Sequence, residues 1–205
     1  MTTAAKAKGQ RRSPKGERRR AALLDATLMV AAESGMDGAT IGTVATAAST
    51  PKSLVLYHFE SRDGLLTAAV AQAVDVLSRE RHQHMAIAGG DPKEQLGAWI
   101  AALYSSPTVL QAWCVLTQVN GRTSPGPGLS AVAEHERLVL AEMEELIDRG
   151  NDEFCWQVPS SAAAARAVVA MLDGLRLSML RQGFDADPVR AAAQSRRAVL
   201  DYLLG

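Results

Sequence analysis

Between Thr40 and Leu66 the sequence sets hydroxyls, one lysine and two aromatic rings with polar tips at spacings that put them on the surface of short helices. Ile41, Val44, Ala45 and Ala48 recur at helical spacing, so Thr40 to Ala47 forms two amphipathic turns with Thr40 as N-cap. Four small residues, Ala47, Ala48, Ser49 and Thr50, then make a turn. Pro51 fits the first turn of a second helix and not its interior. From Pro51 to Phe59, Leu54, Val55 and Phe59 pack inward and leave Lys52, Ser53, Leu56 and Tyr57 nearer the outer face. Two short helices joined by a tight turn are the layout of a helix-turn-helix, whose second helix fits the major groove of B-DNA. A helical corner in an ordinary all-α core satisfies the same pattern.

The flanking charge favours the first reading. The leader GQRRSPKGERRR carries Arg11, Arg12, Lys15, Arg18, Arg19 and Arg20 against Glu17 alone, and it reads as a flexible basic arm over residues 1–17. Residues 1–66 hold ten Lys or Arg and six Asp or Glu, a net of +4; residues 67–205 hold twelve and sixteen, a net of −4. A neutral total therefore hides a basic front end, which supplies the sequence-independent attraction to phosphates. On this reading Arg18, Arg19, Arg20, Thr40, Lys52 and Tyr57 or His58 hold phosphates. Lys52, Ser53 and Tyr57 meet bases. Leu56 has two readings, contact with a thymine methyl and, preferred, a place in the core.

Taken together, the segment from Arg20 to Leu66 resembles the DNA-binding domain of the tetracycline-repressor (TetR) family. The matching residues are the Arg-led helix from Arg20 to Gly35, then Thr40, Ile41, Val44, Ala45 and Ala48. Tyr57, His58 and Phe59 follow, then Arg62, Leu65 and Leu66. The C-terminal part, with Leu172-Asp173-Gly174-Leu175, Gly183-Phe184-Asp185 and Ala112-Trp113, resembles the choline-responsive, BetI-like branch of that family. Two departures stand out. Ser49, Thr50 and Pro51 occupy the turn where the family has Gly-Val-Ser, so the glycine that eases a positive φ is missing and a looser turn is expected. Leu56 and Tyr57 stand where the family has Tyr and His.

Beyond the head, helix caps punctuate the chain. Ser61 opens a long helix to about Met85, Asp91-Pro92-Lys93-Glu94 starts the next, and Ser106-Pro107, Pro159-Ser160 and Asp187-Pro188 repeat the signal. Asn120 to Gly128 is the clearest long loop. The expected fold is all-α, with a three-helix head containing the helix-turn-helix over residues 18–60 and a six-helix regulatory and dimerisation body over residues 61–205. The last two helices carry apolar stripes that include Met171, Leu175 and Met179 on one and Val199 and Leu203 on the other. Packing within the subunit takes part of each stripe, and the resemblance implies that the pair also docks on a two-fold mate as a four-helix bundle.

Trp99, Tyr104, Trp113, Phe154 and Trp156 gather five of the nine aromatics between head and dimerising helices. They either fill the core or line a cavity with polar groups such as Gln111, Gln118 and Asn120. The ligand residues expected from the second reading are Trp99, Tyr104, Trp113, Gln118 and Trp156. An apolar small molecule is the expected effector; choline, held by cation–π attraction, is the narrower alternative.

Other classes find little support. Cys114 and Cys155 lack Cys-x-x-Cys spacing and sit in apolar segments, so two buried thiols are expected. His82 and His84 face different ways on one helix, and no metal or other cofactor is expected. Glu134, His135 and Glu136 splay apart on a helix, so they read as a solvated face and not as a catalytic group. No apolar stretch reaches the roughly 20 residues of a membrane span, and MTTAAKAKGQ has no apolar core for a secretory signal, so a cytoplasmic protein is expected. The sequence thus points to a ligand-responsive repressor that binds a palindromic operator in double-stranded DNA as a homodimer. A ligand-independent architectural DNA binder and a cytosolic all-α enzyme are the alternatives.

Overall fold

The computed structural model describes residues 13–121, 126–181 and 187–205, and among them every regular element is an α-helix. Nine are present: α1 (Pro14–Gly38), α2 (Ile41–Ala47), α3 (Lys52–Phe59), α4 (Arg62–Ile87), α5 (Pro92–Ala102), α6 (Pro107–Asn120), α7 (Leu129–Phe154), α8 (Ser161–Arg181) and α9 (Pro188–Leu204). Most begin at the cap the sequence offers. Ser61 accepts from the Gly64 amide, Asp91 from Lys93, Ser106 from Val109, and Asp187 from Val189 and Arg190, each satisfying a donor the helix leaves free.

The basic leader differs from expectation at its end. Ser13 caps α1 by accepting from the Gly16 amide at 3.2 Å, and Pro14 takes the first helical position, so Lys15 and Glu17 are helical rather than part of an arm. Ser-Pro is a start signal here, not a breaker. Arg11 and Arg12 lie outside the described residues, as do Gly183, Phe184 and Asp185 and part of the loop after Asn120. The first helix breaks at Gly35, whose φ of 76° belongs to glycine. Beyond it, Arg62 of α4 donates to the Met36 carbonyl at 2.7 Å and the Ala39 carbonyl at 3.1 Å, tying the α1–α2 corner to the next long helix.

The turn between α2 and α3 is tight rather than loose. Ser49 adopts φ 49°, and the Thr50 amide donates to the Ala45 carbonyl at 2.9 Å, closing the end of α2 as a glycine-based cap would. A side chain there costs about 1–2 kcal/mol in the left-handed region. Ser49→Gly is therefore expected to raise stability by roughly 0.5–1 kcal/mol, read as a higher urea midpoint with an unchanged slope.

Two buried cores meet along α4 to α7. One joins Leu23, Leu28, Val44, Val55, Phe59, Leu65 and Val70 to Trp113, Val115 and Val119 of α6, so the head rests on the body through apolar contact. The other joins Leu96, Trp99, Ile100, Met143, Ile147, Trp156, Val168 and Leu172 to Val199 and Leu203. Gly128, at φ 82°, precedes α7 where a Cβ would stand 2.6 Å from Val70, so only glycine allows that approach. No single described helix is long and apolar enough to cross a membrane.

Candidate nucleic-acid interface and ligand cavity

On α3, Val55 and Phe59 are buried and anchor the helix, because they repeat at i and i+4 toward α1 and α4. The opposite face carries Lys52, Ser53, Leu56 and Tyr57, all exposed; Tyr57 reaches 80 %. Leu56 is thus corrected from core to surface, at 43 % exposure. Eight residues give the helix barely two turns, and Val55 with Phe59 already covers its inner stripe. His58 is half-buried, its ring edge-on to Tyr57 at 5.3 Å and tilted against Phe59 at 6.2 Å.

Thr40 and Thr43 form a reciprocal capping box at the start of α2, so the Thr40 hydroxyl, although exposed, is already engaged with the Thr43 amide at 3.1 Å. The Lys52 side chain crosses to Gly42, and the two line one shallow groove with Thr40, Thr43 and Thr46. Arg18 and Arg19 are exposed on the first turns of α1. Arg20 differs: its guanidinium carbon stands 5.1 Å from the centre of the Phe59 ring and its Nε is buried, so it clasps α3 to α1. The face is cationic, rich in hydroxyls and one helix wide, as phosphate and base-edge contacts require.

The body contains a cavity of about 360 Å³ between α4, α5, α6, α7 and α8. Trp99 and Trp113 line it, with Leu103, Leu116, Val139 and Leu172 among the remaining apolar wall. The other three expected ligand residues do not. Tyr104 is buried with its hydroxyl 2.8 Å from Ser195 Oγ of α9, and Trp156 is buried against Gly150. Gln118 turns away to α1, accepting from the Met36 amide at 2.7 Å and donating to the Ala31 carbonyl at 3.0 Å. Tyr104 and Gln118 each serve a contact with a helix remote in sequence, and Trp156 packs on the end of the helix just before it. Phe154 is largely exposed, and so is Cys155, which takes φ 56° to end α7; only Cys114 is buried, where desolvation pushes its thiol up.

Sequence reasoning missed the charged groups of this cavity. Arg81 is 3 % exposed and donates twice to Glu142, at 2.5 and 3.1 Å. Arg176, also 3 % exposed, lies 4.2 Å from the Trp113 ring centre and 3.8 Å from Asp173, whose carboxylate accepts from Trp113 Nε1 at 2.9 Å. His135 is buried in the wall; desolvation, then the charge of Arg81, lowers its pKa to about 4, so it is neutral at pH 7. The visible clue was an Asp-x-x-Arg pair, Asp173 and Arg176, inside an otherwise apolar stripe. Among the described residues no group of three or more His, Cys, Asp or Glu is arranged to hold a metal ion.

The stripes of α8 and α9 also sort differently from expectation. Met179, Val199 and Leu203 are buried within the subunit, Val199 completely, so they have little surface left for a mate. Met171 and Leu175 are half-buried, and the exposed apolar side chains of the pair are Leu177, Val189, Tyr202 and Leu204. Neighbouring helices of the same chain take the most regular face of each helix.

The sequence profile of the family described as bacterial regulatory proteins, tetR family, matches residues 23–69, the stretch that contains α2 and α3. A relative from Stenotrophomonas maltophilia named HTH-type transcriptional regulator BetI is 30 % identical over 198 residues, 90 % of this chain and 91 % of its own length. The chain belongs to the tetR family. A namesake from Burkholderia lata is 31 % identical, covering 92 % of this regulator and 95 % of its own sequence. The relatives are transcriptional regulators, and this tetR-family protein is a DNA-binding regulator rather than an enzyme. Its fold is shared with a transcriptional regulator from Saccharomonospora viridis solved in complex with choline, at TM-score 0.76, 18 % identity and coverage of 91 % and 95 %. A regulator from Pseudomonas aeruginosa PAO1 aligns at TM-score 0.71 and 24 % identity, covering 96 % of this chain and 94 % of that one.

Proposed function

We propose that this tetR-family regulator is a cytoplasmic, homodimeric repressor that occupies a palindromic operator and leaves it when a small molecule fills the body cavity. Residues 14–60, from the start of α1, form the DNA-binding unit and residues 61–205 the effector and dimerisation unit. The outer face of α3 carries this reading: Lys52, Ser53 and Tyr57 approach bases, while Arg18, Arg19, Thr40, Lys52 and His58 hold phosphates and Arg20 fixes α3. Half-buried Met171 and Leu175, with exposed Leu177, Tyr202 and Leu204, supply the surface on which α8 and α9 meet those of a mate.

A route between cavity and head supports the ligand response. Trp113, Leu116 and Thr117 of α6 line the cavity, while Gln118 of the same helix grips α1 on both sides of the Gly35 break. A ligand that shifts α6 therefore pulls on the helix that carries Arg18 and Arg19. To empty most operators the ligand must favour the released conformer roughly a thousandfold or more over the DNA-bound one.

Selection of bound sequences from random double-stranded DNA tests the proposal. An inverted repeat is expected, with half-sites spaced for successive major grooves. Enrichment of a single unrepeated site would remove the dimer from the reading. Absence of any enrichment would remove the operator.

A further inference from the structure

Among the described residues, three buried donors on side chains that line the cavity have no hydrogen-bond partner. Arg176 Nε and Nη2 are buried with no acceptor, and so is Trp99 Nε1. The nearest carboxylate to Arg176, Asp173, is half-exposed, stands off at 3.8 Å and is already bonded to Trp113. Of the other charged lining groups, Arg81 is bonded to Glu142 and Glu136 to Asn120 at the rim, while Arg166 is exposed at the cavity's edge with no ion-pair partner among the described residues. Burial pushes the Arg176 pKa down only to about 10, so the guanidinium is still a cation at pH 7. A buried, charged fork with two empty donors is unfavourable unless something supplies acceptors.

The same geometry bears on which ligands suit the cavity. A quaternary ammonium needs open aromatic faces, yet Arg176 already stands over Trp113, and Arg81 lies 6.0 Å from the centre of Trp99. It would also share a low-dielectric cavity with Arg176, a buried cation whose nearest carboxylate stands off at 3.8 Å. A carboxylate reverses both objections, because its two oxygens match the planar guanidinium fork and its charge offsets that of Arg176. A volume of about 360 Å³ walled by Leu103, Leu116, Val132, Val139 and Leu172 leaves room for an apolar body.

We propose that the effector is an amphipathic carboxylic acid, its carboxylate received by Arg176 with Trp99 Nε1 as a further donor, and its apolar part enclosed by α5, α6 and α7. This rests on the reading of the body as an effector unit.

The probes are straight-chain carboxylates from butanoate to dodecanoate, phenylacetate and indole-3-acetate, each beside its primary amide, together with choline. Melting of the full-length protein and release of its selected operator are the readouts. At least one acid is expected to raise the melting temperature and bind tenfold or more tighter than its amide, with no shift from choline. Arg176→Gln and Arg176→Met are each expected to reduce that acid-over-amide preference at least tenfold. Should both variants fail to fold, the acid–amide comparison on the unaltered protein decides alone. Equal binding of acid and amide, preference for choline, or no response to any probe would overturn the carboxylate assignment. Operator release by choline or an amide would keep the effector reading while removing the carboxylate; failure to select an operator would count against the wider reading instead.

Discussion

Raising the salt concentration from 50 to 200 mM is expected to weaken operator binding by roughly 10³- to 10⁵-fold, the loss associated with six to ten neutralised phosphates. Each head offers exposed Lys15, Arg18, Arg19 and Lys52 on the faces of α1 and α3, and a dimer doubles that set. The chain's zero net charge does not weaken the expectation, because the positive excess lies in residues 1–66 and the body's negative excess is screened beyond about 10 Å at 0.1 M salt. Lys52→Ala should lower the magnitude of the salt slope by about two per dimer, one for each head, and weaken binding to all sequences together insofar as Lys52 holds phosphate. Tyr57→Phe and Ser53→Ala should instead relax selectivity at particular base pairs by about 1–3 kcal/mol with little change in slope. Fluorescence anisotropy on the selected operator, repeated across salt concentrations, reads both quantities. A flat response would mean that the basic face is not where the duplex lies.

Much of the helical layout was legible because the signals for it are local. Asp91 and Pro92 start a helix through groups within a few residues of one another, and Ser61, Ser106 and Asp187 act likewise. The same locality explains Gly35 and the inward Val55 and Phe59. It fails at Ser13-Pro14, a cap and a first-turn proline inside the stretch expected to be a flexible arm, and at Leu56, where eight residues are too few for a stripe to separate wall from surface. Gln118 and Tyr104 looked suited to a ligand because amides and phenols are. Their partners, Met36 and Ala31 for one and Ser195 for the other, come from helices that no local pattern connects to them. The apolar stripes on α8 and α9 were real, but periodicity cannot say whether a stripe faces its own chain or a copy. Val199 and Leu203 show the first outcome.

Glu142→Ala is expected to cost about 3 kcal/mol of stability, near the lower end for removing one partner of a buried ion pair. The loss arises because Arg81, with a side chain 4 % exposed, would keep its charge inside the body with no acceptor for Nε and Nη2. The Glu142 side chain is 27 % exposed, and water entering its place sets the lower figure. For a domain of this size the melting temperature should fall by roughly 6–12 °C. Arg81→Met combined with Glu142→Leu should recover most of it, since removing both charges leaves neither stranded. The pH dependence separates this account from lost packing. Burial, the largest single cause, would raise the Glu142 carboxyl, but the hydrogen bonds and charges of Arg81 and His82 together outweigh it and hold the pKa below its usual 4.5. A carboxylate depressed on folding contributes stability that is complete above pH 4.5 and is lost as the pH falls through the folded value. The gap between the original protein and Glu142→Ala should therefore be widest near neutrality and narrow in acid. A gap that stays constant down to pH 3 would assign the loss to side-chain volume rather than to the pairing of α4 with α7.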